Sequence, residues 1–116
     1  MKLPNAHLAI VEEKKVVEYL LNPVHPDNGG KAAFFQTLGF DRDDWRAFAA
    51  ALRQVGVNGE VVRTVESPHG TKYVVDGRID TPRARAHMVR SIWIVDRGLE
   101  APRLVTTYAR EEEKQP

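Results

Sequence analysis

From Leu20 to Lys31 the chain reads Leu-Leu-Asn-Pro-Val-His-Pro-Asp-Asn-Gly-Gly-Lys, a proline- and glycine-rich loop that delivers a histidine and a lysine to a helix start. Free backbone N–H groups at a helix N-terminus attract anions, and a lysine in that first turn opposes the helix dipole unless an anion or a carboxylate compensates it. A phosphate would satisfy both groups. The plain alternative is that His25 is a loop residue bonded to backbone and Lys31 an ordinary solvated lysine, because isolated loop motifs often carry no function. The spacing is not that of a Walker loop.

A second candidate is the basic run Arg78, Arg83, Arg85, His87 and Arg90, which lies against Asp80 alone. Arg90 shares a strand face with Ile92 and Ile94, so it points toward a partly covered cleft and needs a partner there. The planar fork of an arginine offers phosphate two parallel donors. Arg83 and Arg85, beside the turn at Thr81-Pro82, fit either candidate substrate contacts or merely solubilising charges. Trp93 lies on the face opposite to Arg90. It could stack a base, but an aromatic in a central strand is expected in the core.

The last strand, Arg103-Leu104-Val105-Thr106-Thr107-Tyr108, places Thr106 and Tyr108 on one face and Thr107 on the other. Threonine is common in sheets for its β-branch alone, so Thr106 has a structural reading as well as a chemical one. His7, His69 and His87 show no spacing with Asp or Glu that argues for a metal. No Ser/His/Asp set is recognisable. The absence of cysteine excludes thiol nucleophiles, thiolate zinc sites and disulfides. No cofactor is expected.

These residues need elements to position them. The chain has 116 residues, 42% hydrophobic and 28% charged, which suits one globular domain that buries a core without staples. Residues 1–110 are read as a single domain and 111–116, with three glutamates, as a flexible acidic tail. Val16, Val17, Leu20 and Leu21 pair at a spacing of four on a first helix that Pro23 and Pro26 stop. A second helix, from Lys31 to Leu38, turns Phe34, Phe35 and Leu38 inward and ends at Gly39, with Phe40 closing over it. A third starts at an Asp41 cap, carries Trp45, Phe48, Ala49 and Leu52, and should finish near Gly56.

Beyond Asn58-Gly59 the hydrophobic period changes to two, and strands are predicted near 60–66, 71–80, 86–95 and 103–109 as an antiparallel meander. The fold class is therefore α+β, three N-terminal helices covering one face of a four-stranded antiparallel sheet. No signal-peptide core or membrane-length run is visible, so a bacterial-style cytoplasmic protein with no membrane partner is expected. A formal net charge of +1 gives no global attraction to nucleic acid.

Four separated stretches, Met1 to Ala6, Tyr19 to Pro26, Lys31 to Phe35 and Arg103 to Thr106, together resemble the bacterial family DUF6883, a domain of unknown function, nearly end to end. The order of elements, with a His-Pro loop leading into a Lys-Ala helix and a final strand carrying threonine, looks like the fold group that joins barnase, EndoU, nuclease colicins and RelE-type toxins. That resemblance implies a metal-independent endoribonuclease toxin of a toxin–antitoxin-type system, with RNA as substrate and a small cognate antitoxin-like protein as partner.

His25 would be the general base or acid, Lys31 and Arg90 would hold the scissile phosphate, and Thr106 would position it. Asn28, Arg83, Arg85 and Tyr108 would be substrate contacts. Asn28 stands where related sequences tend to carry glycine, and it tolerates a left-handed backbone less freely. The competing reading is a non-catalytic module that binds RNA or a partner protein through the basic patch.

Overall fold

The computed structural model describes residues 1–25, 29–83 and 85–110, so the expected contact at Asn28 and the expected tail at 111–116 lie outside the described residues. A short 3-10 turn, Ala6–Leu8, leads to a π-helical segment, Lys15–Leu20. Two α-helices follow, α1 (Gly29–Thr37) and α2 (Trp45–Asn58), the latter entered through a 3-10 turn at Arg42–Asp44. Four strands complete the fold: β1 (Glu60–Ser67), β2 (Gly70–Ile79), β3 (His87–Asp96) and β4 (Arg103–Ala109), joined as an antiparallel meander in the order β1-β2-β3-β4. The predicted α+β class and helix count hold, and each strand end lies within a residue of its expected place.

The first helix differs in winding. Leu21 N donates to Val16 O over five residues at 2.8 Å, the mark of a π-turn. The wider turn brings Val16, Leu20 and Leu21 onto one side, where all three are fully buried, and leaves Val17 half-buried. Asp41 caps the next helical entry as predicted, its carboxylate accepting from Asp43 N at 2.9 Å. At the end of α1, Gly39 takes φ +101°, a left-handed value that a side chain would strain, and Phe40 folds back to pack on Phe48 at 4.5 Å between ring centroids.

The helix expected to finish near Gly56 ends at Asn58, two residues on. Gly56 is a point of close approach. A Cβ there would sit 2.8 Å from the Trp93 ring, so the glycine makes room for the tryptophan and does not end the helix.

Alternation sorts the sheet into two faces. Val75, Ile79, Val89, Ser91, Trp93, Leu104 and Thr107 are all buried toward the helices, where they meet Phe35, Phe48, Leu52 and Val55. The polar members are satisfied: Trp93 Nε1 donates to Ser91 Oγ at 2.9 Å, and Thr107 Oγ1 donates to Arg90 O at 3.0 Å. Trp93 is thus core, as expected. On the other face, register aligns Asp76, Arg90 and Tyr108 in one transverse row and Val74, Ile92 and Thr106 in the next. A register shift between Ile92 and Trp93 leaves Val105 as the extra residue of β4, one position before Thr106.

Candidate functional site

The loop that carries His25 is held by its own asparagine. Asn22 Nδ2 donates to Glu18 O at 3.2 Å, and Asn22 Oδ1 accepts from Val24 N at 3.1 Å, an Asx turn that ties the chain to the end of the π-segment. His25 N then donates to Asn22 O at 3.3 Å. This places the half-buried imidazole edge-on to Tyr19, with ring centroids 5.0 Å apart. Tyr19 belongs to the π-segment, and its ring also lies 5.0 Å from Lys15 Nζ.

Lys31 occupies the first turn of α1 and reaches across to the sheet. Its ammonium donates to Thr106 Oγ1 at 3.0 Å and to the Tyr19 hydroxyl at 3.4 Å. The Tyr19 and Tyr108 rings both lie 5.5 Å from it, within cation–π range. Among the described residues no carboxylate pairs with Lys31, so its partners are neutral hydroxyls and aromatic faces. A half-buried ammonium of this kind is open to an anion.

Arg90 is a contrasting case. Its Nε and Nη2 donate to the two oxygens of Asp76 at 2.7 and 2.9 Å, a bidentate pair, and Arg110 Nε approaches the same carboxylate at 3.2 Å. The Asp76 side chain is 6% exposed, so the two guanidiniums neutralise a buried charge. The Arg90 hydrogen bonds, then its charge and that of Arg110, outweigh burial and hold the Asp76 carboxyl below the usual aspartate range. Asp76, then Tyr108, raise the Arg90 guanidinium above its ordinary value. Arg90 thereby links Asp76 to Tyr108, the residue beside Lys31.

The structure thus brings His25, Lys31, Thr106, Tyr108 and Arg90 into one chain of contacts, with Tyr19 at its centre. Arg83 and Arg85 are exposed and lie elsewhere. Arg83 packs over Gly39 at the opposite end of α1 from Lys31 and borders a cleft of about 210 Å³ with Gln36, Phe40 and Asp41. His87, from the same basic run, turns toward the helices and meets Phe34 edge-on at 5.1 Å. The run is therefore not a single patch in space.

Sequence reasoning missed Tyr19, Asp76 and Arg110. The signals were present: Lys15 and Tyr19 are four apart, a spacing that stacks helical side chains. Asp76 and Arg90 are equidistant from Arg83, as are the predicted strand ends at Asp80 and Ala86, so hairpin symmetry pairs them. Arg110 follows the last strand and gave no pattern.

Beyond Tyr19 an open cleft of about 380 Å³ is lined by Glu12, Lys14, Lys15, Glu18, Tyr19, His25 and Arg103. Arg103 is held at its far wall by a bidentate pair with Asp96, at 2.7 and 3.1 Å. Tyr19 is shared between this cleft and the Lys31 site. Hydrogen bonding from Thr106, then the hydrogen bond and charge of Lys31 and the charge of Lys15, outweigh burial and hold the Tyr19 phenol below the usual tyrosine range. No cluster of three or more His, Asp or Glu able to share a metal ion occurs among the described residues. None of their helices is long and apolar enough to cross a membrane.

The family model for a domain of unknown function, DUF6883, matches residues 2–111. The chain belongs to the DUF6883 family. Among solved structures, this DUF6883 chain is similar to a chain of a contact-dependent growth inhibition toxin–immunity protein complex from Klebsiella pneumoniae 342, at 18% identity and a TM-score of 0.71. The match covers 92% of this chain and 97% of that one. At this identity the likeness shows a shared fold. No curated protein matches the sequence.

Proposed function

We propose that this DUF6883 protein is a metal-independent endoribonuclease toxin that cleaves RNA by internal phosphoryl transfer. The observation that carries the reading is Lys31: an ammonium without a carboxylate partner among the described residues, held between two tyrosine rings and hydrogen-bonded to Thr106. A phosphate oxygen suits that position, with Thr106 setting its orientation and Tyr108 lining the site. Arg90 commits two nitrogens to Asp76, so it serves the site indirectly, through its hydrogen bond with Tyr108 beside Lys31.

A general base takes the ribose 2′-hydroxyl proton, the oxygen attacks the adjacent phosphorus, the bond to the 5′-oxygen breaks, and an acid protonates that oxygen. His25 is the base or the acid, and the Lys31 ammonium stabilises charge on the non-bridging oxygens. RNA in the cytoplasm is the substrate. The toxin role and a small neutralising partner protein draw support from the neighbour with the same fold, which is part of a toxin–immunity protein complex.

The deciding experiment is incubation of total cellular RNA with purified protein in EDTA, beside His25→Ala and Lys31→Ala variants shown by circular dichroism to be folded. Wild-type protein is expected to yield fragments ending in 2′,3′-cyclic phosphate, and His25→Ala to lose roughly 10²–10⁴-fold in rate. Intact RNA that is nevertheless bound in a salt-sensitive manner would instead make the protein a non-catalytic binding module.

A further inference from the structure

We propose that Tyr19 is the second proton-transfer group of this site: its phenolate takes the ribose 2′-hydroxyl proton, and His25 delivers a proton to the leaving oxygen. This deepens the ribonuclease reading and rests on it.

Internal phosphoryl transfer removes one proton and supplies another, so a second proton-transfer group beside His25 would accelerate it. No Asp or Glu approaches Lys31 among the described residues, and Asp76 is spent on two arginines. Tyr19 meets the geometric demands. Its hydroxyl is 3.4 Å from the ammonium that would hold the phosphate, and it shares Thr106 with that ammonium. A phosphate at Lys31 therefore lies within reach of the phenol, and His25 meets the same ring from the side of the open cleft.

The surroundings favour the charged form. Lys15 on the π-segment, Lys31 on α1 and Thr106 on β4 face the ring, with Tyr108 on β4 beyond Lys31. His25 abuts the ring, and Arg103, Lys14, Glu12 and Glu18 line the adjoining cleft. The two lysines and the threonine hydroxyl prevail, lowering the phenol below its ordinary range.

The step balances without another reactant. The 2′-oxygen loses its proton to Tyr19 and bonds to phosphorus, the bond from phosphorus to the 5′-oxygen breaks, and that oxygen takes its proton from the His25 imidazolium. The products are a 2′,3′-cyclic phosphate and a 5′-hydroxyl, and exchange with water resets both side chains.

The test uses the full chain and three readouts. In an ultraviolet titration of its three tyrosines, one is expected to ionise early, to be lost in Tyr19→Phe and to persist in Tyr108→Phe. On a fluorogenic RNA oligonucleotide, Tyr19→Phe is expected to reduce kcat by at least about 100-fold. Its affinity for the all-2′-deoxy oligonucleotide should stay within about threefold of wild type.

A uridine 3′-phosphodiester with a 4-nitrophenyl leaving group needs no acid, so His25→Ala should recover most of its loss on that substrate while Tyr19→Phe should not. Lys15→Met should move the rise of that reaction's rate with pH to higher pH. If Tyr19→Phe cleaves RNA within about threefold of wild type, or is rescued by the nitrophenyl ester, the assignment falls and the ribonuclease reading stands. Wild-type protein that cleaves neither substrate overturns both.

Discussion

The two faces of the sheet are made from the same strands and solve opposite problems. Toward the helices, Val89, Ser91 and Trp93 alternate into a core in which Ser91, Trp93 and Thr107 each have an internal hydrogen-bond partner. On the other face, Arg90 and Tyr108 stand in a half-buried row whose cations are treated unequally. Arg90 is saturated by a buried aspartate, whereas Lys31, reaching in from α1, meets hydroxyls and rings. The difference teaches where to look for binding. A charge already neutralised within the fold serves architecture, and a charge left with neutral partners is available to a ligand.

Substitutions should break this comparison in order of decreasing effect. Trp93→Ala empties the space against Gly56 and removes the indole donor to Ser91, and is expected to cost about 3–5 kcal/mol, read as a fall in urea midpoint. Asp76→Asn removes the charge that Arg90 and Arg110 share. Because Arg90 is partly exposed, a loss of roughly 2–3 kcal/mol is expected.

The pH dependence sharpens that second prediction. The folded carboxyl of Asp76 is depressed, so its contribution is complete above the unfolded value and shrinks as pH falls from about 4 through the folded value. Wild type should therefore lose stability over that acid range more steeply than Asp76→Asn; parallel acid profiles would contradict the pairing.

Gly56→Ala sets a helix-propensity gain of about 1 kcal/mol against a contact at 2.8 Å with the Trp93 ring. The contact is expected to win, for a net loss of about 1 kcal/mol in thermal or urea unfolding. Lys31→Met should have the smallest effect on stability, within about 0.5 kcal/mol, since no ion pair among the described residues is broken. The same variant should bind RNA more weakly. A large destabilisation by Lys31→Met would make that lysine an architectural residue like Arg90.

Strand positions were readable because the period of two over Tyr73 to Ile79 and the short run apolar on both faces over Met88 to Val95 belong to the residues themselves, as do turn residues such as Asp41 and Gly39. The reason for Gly56 was not readable, because a helix interior admits glycine where a neighbour demands space, and that neighbour, Trp93, is 37 residues away in sequence. The site was half readable. His25, Lys31, Thr106 and Tyr108 converge, whereas Arg83 stands apart because the connection between β2 and β3 carries it to the far end of α1. Asp76 looked like a solvent-facing alternation residue until its register partner turned over it.

By itself, then, the sequence determined the class of fold, the order and limits of the strands, the core faces and the family, since each depends on local pattern or on motifs in the chain. Tertiary structure alone decided that Asp76 neutralises Arg90, that Lys31 has no carboxylate partner among the described residues, and that Tyr19 joins His25 to Thr106. Those depend on strand register and on the path of a π-turn. Hydrogen bonds and charge pairs act over a few ångströms between residues far apart in the chain, and only the folded backbone sets those distances.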